Sequence, residues 1–314
     1  MKESVITLEG LTKYYGSTKV VDHLDLKIRK GEVFGLLGPN GAGKTTTILM
    51  MLGLTEPTSG KAYVCNHNAS THPIPVKKIV GYMPDSIGFY DNLTAFENLV
   101  YIGKLNGLKK IEVEEQAHNM LKLVGLGDDA HKKTGAYSRG MKQRLGLAEV
   151  LIKRPEIIIL DEPTLGIDPS GVNEFLELIR RLSIQQQLTV LLSSHHLNQV
   201  QRVCDRIGIF VKGQLLVKGA IDKLSKNLFA DASYAIKVTL KNPISKPWKH
   251  EQELLQMKNV QKITIDEDRP NVSCGANITP AIVRFFVEKG YDIMGVQKKE
   301  YGLEDIYQKY FEHQ

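Results

Sequence analysis

Residues Gly38-Pro39-Asn40-Gly41-Ala42-Gly43-Lys44-Thr45 fit the pattern G-x-x-x-x-G-K-[ST] at every fixed position. An apolar run, Val33 to Leu37, precedes them, and a helical-looking run, Thr46 to Leu54, follows. This strand-to-helix context is what a phosphate cradle needs, because the cradle is built from backbone N–H groups. Gly38, Gly41 and Gly43 allow positive φ and close approach to an anion. The helix that opens after Gly43 aims unpaired N–H groups and the positive end of its dipole at the same point. Lys44 would reach the β and γ phosphates, and the Thr45 hydroxyl would hold Mg²⁺. A Gly-rich turn that binds nothing is the alternative, and the flanking pattern argues against it. The chain is therefore expected to bind a nucleoside triphosphate.

A P-loop of this kind implies a parallel sheet covered by helices, and the rest of the chain supplies one. Apolar strands are predicted at Ile157–Leu160 and Thr189–Leu192, with a helix from about Pro169 to Leu182 between them. Shorter strands are predicted at 4–10, 20–28 and 61–65, and a strand–turn–strand at 206–210 and 214–218. From about Leu93 to Arg154 the pattern is helical. Thr94 with Glu97 three residues on makes a capping box, and Pro155 sets the end of a helix running to about Lys153. Past a boundary near Ser225, the order is strand (234–240), helix (248–258), strand (260–266), strand (271–275), helix (279–289), strand (292–298) and helix (303–312). That order suggests a small ferredoxin-like α+β module. The expected division is 1–225, with a helical subdomain at about 85–155, and 226–314.

Composition excludes several classes. The net charge is +6 in 314 residues, and the excess is spread out rather than gathered in basic blocks, so no nucleic-acid partner is expected. The three cysteines, Cys65, Cys204 and Cys274, show neither CxxC spacing nor the density of a disulfide scaffold. No signal peptide opens the chain and no apolar run nears the ~18–20 residues that span a bilayer, which points to the cytoplasm.

Ile157 to Leu160 leads into Asp161-Glu162-Pro163-Thr164. A buried strand that ends in two carboxylates places them where α/β sheets bind ligands. Adjacent strand residues point to opposite faces, so the two acids are expected to do different jobs. Asp161 would hold the water shell of Mg²⁺ or the Thr45 hydroxyl, and Glu162 would take a proton from an attacking water. Ser138 precedes a helix as a favoured N-cap, with Gly140 leaving its first turn open. A second anion site and an ordinary capped helix fit that segment equally. Arg139 adds positive charge beside the same helix end. His195 ends another apolar strand on the same sheet edge.

Taken in order, the phosphate loop, the Ser138 segment, the Asp-Glu strand, Asp168 and His195 resemble the nucleotide-binding subunit of an ATP-binding cassette (ABC) transporter over residues 4 to about 225. The resemblance implies a P-loop ABC ATPase domain, with a RecA-like parallel core, an antiparallel β subdomain and a helical subdomain. It further implies that Tyr15 stacks on adenine and that residues 38–46, including Thr46, are Walker A. Ile157–Glu162 would be Walker B with Glu162 as the catalytic base. Ser138 and Gly140 would complete a partner subunit's ATP site, Leu165–Asp168 would be the D-loop, and His195 the switch histidine. Two positions depart from the common pattern: Asp85 stands where a glutamine is usual, as a shorter Mg²⁺ ligand, and Tyr-Ser-Arg-Gly-Met replaces Leu-Ser-Gly-Gly-Gln. The segment from Tyr82 to Thr94, the signature variant and the C-terminal module resemble the exporter-type branch of drug resistance, sodium extrusion and copper processing.

The implied function is ATP binding and hydrolysis that powers a membrane exporter through closure of a dimer. The partners would be integral membrane permease subunits and a second ATP-binding subunit, identical or related, on the cytoplasmic side of the membrane. A soluble ABC-type ATPase of translation or DNA maintenance is the rival from another class. Such relatives commonly carry two cassettes or a coiled-coil insertion, and this chain has neither. A regulatory module that holds ATP with little turnover is a further rival, and the presence of Glu162 and His195 argues against it.

Overall fold

The computed structural model describes residues 3–221, 223–224, 234–245, 247–266, 268–300 and 307, with no side chains described at 299 and 300. The chain divides into two compact units, Met1–Gly219 and Ala220–Gln314. This division falls ahead of the expected boundary near Ser225, a residue outside the described ones.

In the first unit, β1 (Ser4–Tyr15), β2 (Thr18–Arg29), β4 (Ser59–Val64) and β5 (His67–Asn68) form an antiparallel sheet in the order β2-β1-β4-β5. Its alternate residues, such as Leu24, Leu26 and Ile28 of β2, are buried in the core beneath it. A second sheet runs β10 (Gln214–Gly219), β9 (Arg206–Val211), β3 (Val33–Leu37), β8 (Thr189–Ser194), β7 (Ile157–Asp161), β6 (Val80–Met83). Its strands are parallel except β10, which pairs antiparallel with β9. Every residue of β3, β7 and β8 is buried, as continuous apolar runs in a doubly covered parallel sheet should be.

The helices obey their local signals. α1 (Lys44–Met51) follows β3 directly, and α2 (Pro73–Ile79) starts on a proline. α3 (Ala95–Leu105) begins with the expected box, in which the Thr94 side chain accepts from Glu97 N at 3.1 Å and Glu97 accepts from Thr94 N at 2.8 Å. α4 (Lys110–Leu123) and α5 (Arg139–Leu151) complete the helical region. α5 stops short of the expected Lys153. α6 (Pro169–Gln186) is capped by Asp168, which accepts from Gly171 N at 2.9 Å, and runs past the expected Leu182. α7 (Leu197–Val203) follows β8. The sequence reading missed α2, β5, β6 and α7, which are too short to show a periodicity.

The second unit has its own core, centred on Ile236, Val238, Leu254, Val272 and Phe286. β11 (Tyr234–Leu240), α8 (Pro247–Leu255), β12 (Val260–Asp266), β13 (Arg269–Cys274), α9 (Thr279–Glu288) and β14 (Ile293–Glu300) give an antiparallel sheet in the order β12-β13-β11-β14. This is the split βαβ plan that the element order suggested. The predicted helix at 303–312 lies outside the described residues, apart from Tyr307.

Candidate functional site

The phosphate loop is folded tightly into the first unit. Gly43 has φ 105°, and a Cβ there would lie 2.4 Å from the Val20 carbonyl oxygen. A Cβ on Gly38 would lie 2.1 Å from the Phe210 carbonyl oxygen, so no other residue fits either position. Lys44 is only 6% exposed and bends back over the loop. Its Nζ donates to the carbonyls of Gly38 at 2.7 Å and Pro39 at 3.2 Å, and sits 3.4 Å from Glu162 Oε1. The ammonium therefore stands at the centre of the loop, where an anion's oxygens would meet it.

The two carboxylates come from the end of β7. Asp161, 1% exposed, accepts from the Thr45 hydroxyl at 2.7 Å and from the Ser193 hydroxyl. Burial pushes its pKa above the usual aspartate value, the two hydroxyl donors oppose that, and the charges of Asp85 and Glu162 add to it. Glu162 lies just past the strand with φ 48°, a left-handed conformation that a side chain of this size adopts at a cost. Its N–H is held by the Ser193 carbonyl at 3.1 Å and the Ser193 hydroxyl at 3.3 Å, and its carbonyl accepts from Leu165 N at 3.1 Å. This turn corrects the expectation of opposite faces: once off the strand, Glu162 swings toward the loop that Asp161 also touches.

His195, just beyond β8, places Nδ1 3.0 Å from Glu162 Oε2. With the carboxylate ionised, Nδ1–H donates and Nε2 is free to accept or relay a proton. The His196 ring packs on that of His195 with centroids 3.9 Å apart, and burial followed by the neighbouring His195 lowers the His196 pKa. Glu162 Oε1 is buried, ion-paired with Lys44 at 3.4 Å but without a hydrogen-bond donor among the described residues, so it could accept a proton from a nucleophilic water.

Asn40, Gly41, Ala42, Gly43, Lys44, Thr45, Thr46, Asp85, Glu162 and His195 surround one cleft of about 290 Å³, together with Val20 and Leu165. Val20 and Ser193 were missed by sequence reasoning, and Leu165 was expected only as the start of the D-loop. A serine inside a buried apolar strand was the available signal for Ser193; Val20 carries none. Gly38 and Pro39 frame the loop through their carbonyls. Tyr15, at the end of β1, is 50% exposed with the Lys13 ammonium 5.0 Å over its ring, outside the cleft lining. Ser138, Gly140 and Asp168 also lie outside it. The Ser138 hydroxyl accepts from Met141 N at 3.2 Å, and Asp168 is held below its usual range by Ser170 and by the Gly171 N–H. Arg139, expected to offer charge beside the Ser138 helix end, instead donates its Nε to the Leu165 carbonyl at 2.8 Å.

The donors around the cleft include Thr45, Asp161 and Asp85, all hard oxygens, and no cluster of three His, Cys, Asp or Glu able to hold a metal occurs among the described residues. A set of few oxygens suits Mg²⁺, which keeps its waters and leans on substrate phosphates. No helix among the described residues is long and apolar enough to cross a membrane.

Residues 21–165 match the family described as ABC transporter. Over 308 residues the chain is 37% identical to the bacitracin transport ATP-binding protein BcrA of Bacillus licheniformis, covering 98% of this chain and 97% of that one. The linearmycin resistance ATP-binding protein LnrL of Bacillus subtilis (strain 168) is 38% identical over 235 residues, 75% of each chain. Among solved structures, the dimeric bacterial ABC transporter cassette MJ0796 matches with a TM-score of 0.62 and 26% identity, over 68% of this chain and 98% of that one.

Proposed function

The chain belongs to the ABC transporter ATP-binding proteins, and from that premise we propose how its residues bind ATP, hydrolyse it and drive an exporter. The observation that carries the reading is the convergence of Lys44, Thr45, Glu162 and His195 on one cleft, with Asp161 bonded to the Thr45 hydroxyl. In the ATP complex Lys44 exchanges its contacts with the loop carbonyls for the β and γ phosphates. Thr45 and Asp85 would hold Mg²⁺, with Asp161 supporting the Thr45 hydroxyl that it already accepts from. When bound, Mg²⁺ neutralises charge that develops on the phosphate oxygens. Glu162 is the general base that takes the proton of the attacking water, and His195 orients its carboxylate and holds position beside the γ-phosphate. Tyr15 stacks on the adenine.

Ser138, Gly140 and Asp168 lie outside their own chain's cleft, and a relative of the same fold is dimeric. These facts support a two-fold dimer in which each chain's α5 end closes on the other chain's nucleotide. The second copy is this chain or a close relative. Closure on ATP and opening after hydrolysis then form a ligand-biased switch that integral membrane subunits convert to transport at the cytoplasmic face. Relatives named for bacitracin transport and linearmycin resistance support an export role for the complex.

Replacing Glu162 by Gln tests the reading. ATP binding should survive, hydrolysis should fall about 10²–10⁴-fold, and the ATP-bound dimer should accumulate on size exclusion. Parental turnover in that variant would refute the assignment, and failure to co-purify with any multi-spanning subunit would refute the transport role.

A further inference from the structure

The structure gives the arginine of the Ser138 segment a partner on its own chain. Arg139 is the first residue of α5, directly after Ser138. Its Nε donates to the Leu165 carbonyl at 2.8 Å. Beside it, Gly166 has φ +76°, and a Cβ on Gly166 would lie 2.4 Å from Arg139 Nε, 2.6 Å from its Cδ and 2.7 Å from its Cζ. The exposed guanidinium thus lies against Gly166, whose left-handed backbone itself disfavours any side chain. The hydrogen bond and the approach to Gly166 place the Arg139 side chain along this turn.

The 165–166 turn is tied in turn to the reacting group. Leu165 lines the cleft, and its N–H donates to the Glu162 carbonyl at 3.1 Å. Ile167 N donates to the Thr164 carbonyl at 3.2 Å, and the Thr164 hydroxyl donates to Gln199 at 2.5 Å. Glu162 holds a left-handed backbone that its own sequence does not favour, so the surrounding bonds must impose it. Ser193 imposes it from the β8 side and the Leu165 turn from the other.

We infer that Arg139 is a positioning residue for the Glu162 of its own chain, linking the end of α5 to the catalytic turn. This rests on the composite-site dimer proposed above. There, Ser138 meets the partner's nucleotide while Arg139, one residue on, steadies the chain's own base. Phosphate engagement at one site is thereby felt at the other.

Mixed dimers separate this role from a direct contact with the partner's phosphate. Two differently tagged chains are assembled with their membrane subunits, and one chain is silenced by Glu162→Gln. Arg139→Ala is then placed either in the chain that keeps Glu162 or in the silenced chain. The inference expects kcat to fall about tenfold in the first arrangement, the scale of a displaced base, and to change less than about twofold in the second. KM for ATP should stay within about twofold in both, and Arg139→Lys in the active chain should restore most of kcat. A loss confined to the silenced-chain arrangement, equal losses in both, or no loss in either would each overturn the inference. Failure of the dimer reading is a separate result, seen as parental hydrolysis by Ser138→Glu.

Discussion

Ser193→Ala removes one hydroxyl from a wholly buried position and probes how Asp161 is kept charged. Asp161 is 1% exposed and takes hydrogen bonds from two hydroxyls, those of Thr45 and Ser193. Deleting one leaves Oδ1 buried without its donor, and a bond to a charged group contributes about 1.5–3 kcal/mol. The other function of Ser193, holding Glu162 N–H, is partly retained through its own carbonyl at 3.1 Å. The expected loss is therefore about 2 kcal/mol for the Met1–Gly219 unit, or about 4–8 °C in Tm at that size. The pH dependence has a definite sign. Burial already raises the Asp161 pKa, so the folded state loses stability as pH rises from the unfolded to the folded pKa. The Ser193 bond opposes that rise, and its removal raises the folded pKa further. The deficit of the variant should thus be largest at neutral pH and shrink as acid protonates the carboxyl. Urea titration of the nucleotide-free, Mg²⁺-free chain at several pH values measures it. A deficit below about 0.5 kcal/mol at neutral pH, or one that grows on acidification, would refute the reasoning.

Lys44→Ala removes the ammonium at the centre of the loop and should weaken ATP binding about 10–100-fold by calorimetry, whereas unchanged affinity and turnover would discard the phosphate-loop reading. Asp85→Asn should weaken Mg²⁺ activation and coupled transport more than ATP affinity, since a carboxylate is the harder ligand; equal losses in all three would indicate a folding defect instead. Glu149, on α5, has its pKa raised by burial to about 7, so the native state loses stability as pH rises from about 4.5 toward 7. Glu149→Gln should accordingly gain about 1–2 kcal/mol over the parent at pH 8 and nothing at pH 5, measured by urea titration. A gain of equal size at both pH values would assign the effect to something other than the buried charge.

Most of the first unit was legible in the chain because its signals are local. The phosphate loop demands glycines and a lysine at fixed spacing, the Val33–Leu37 and Ile157–Leu160 runs are apolar throughout because both faces are covered, and Thr94, Ser138 and Asp168 cap helices through neighbours three residues away. The order of elements also suggested the βαββαβ plan of the second unit. What the sequence could not contain are pairings across long stretches of chain. Nothing near Ser193 indicates that its hydroxyl meets Asp161, 32 residues away. The alternation rule, sound for a strand, failed at Glu162 because the chain leaves β7 there and takes φ 48°. Arg139 read as free charge beside a helix end, and only the folded chain shows its exposed side chain lying along the Leu165–Gly166 turn, 26 residues away, and bonding the Leu165 carbonyl. Short-range chemistry set the loop, the caps and the strands. The charge state, aim and coupling of the reacting groups were decided by tertiary contacts, because burial and hydrogen bonding depend on what lies across the cleft.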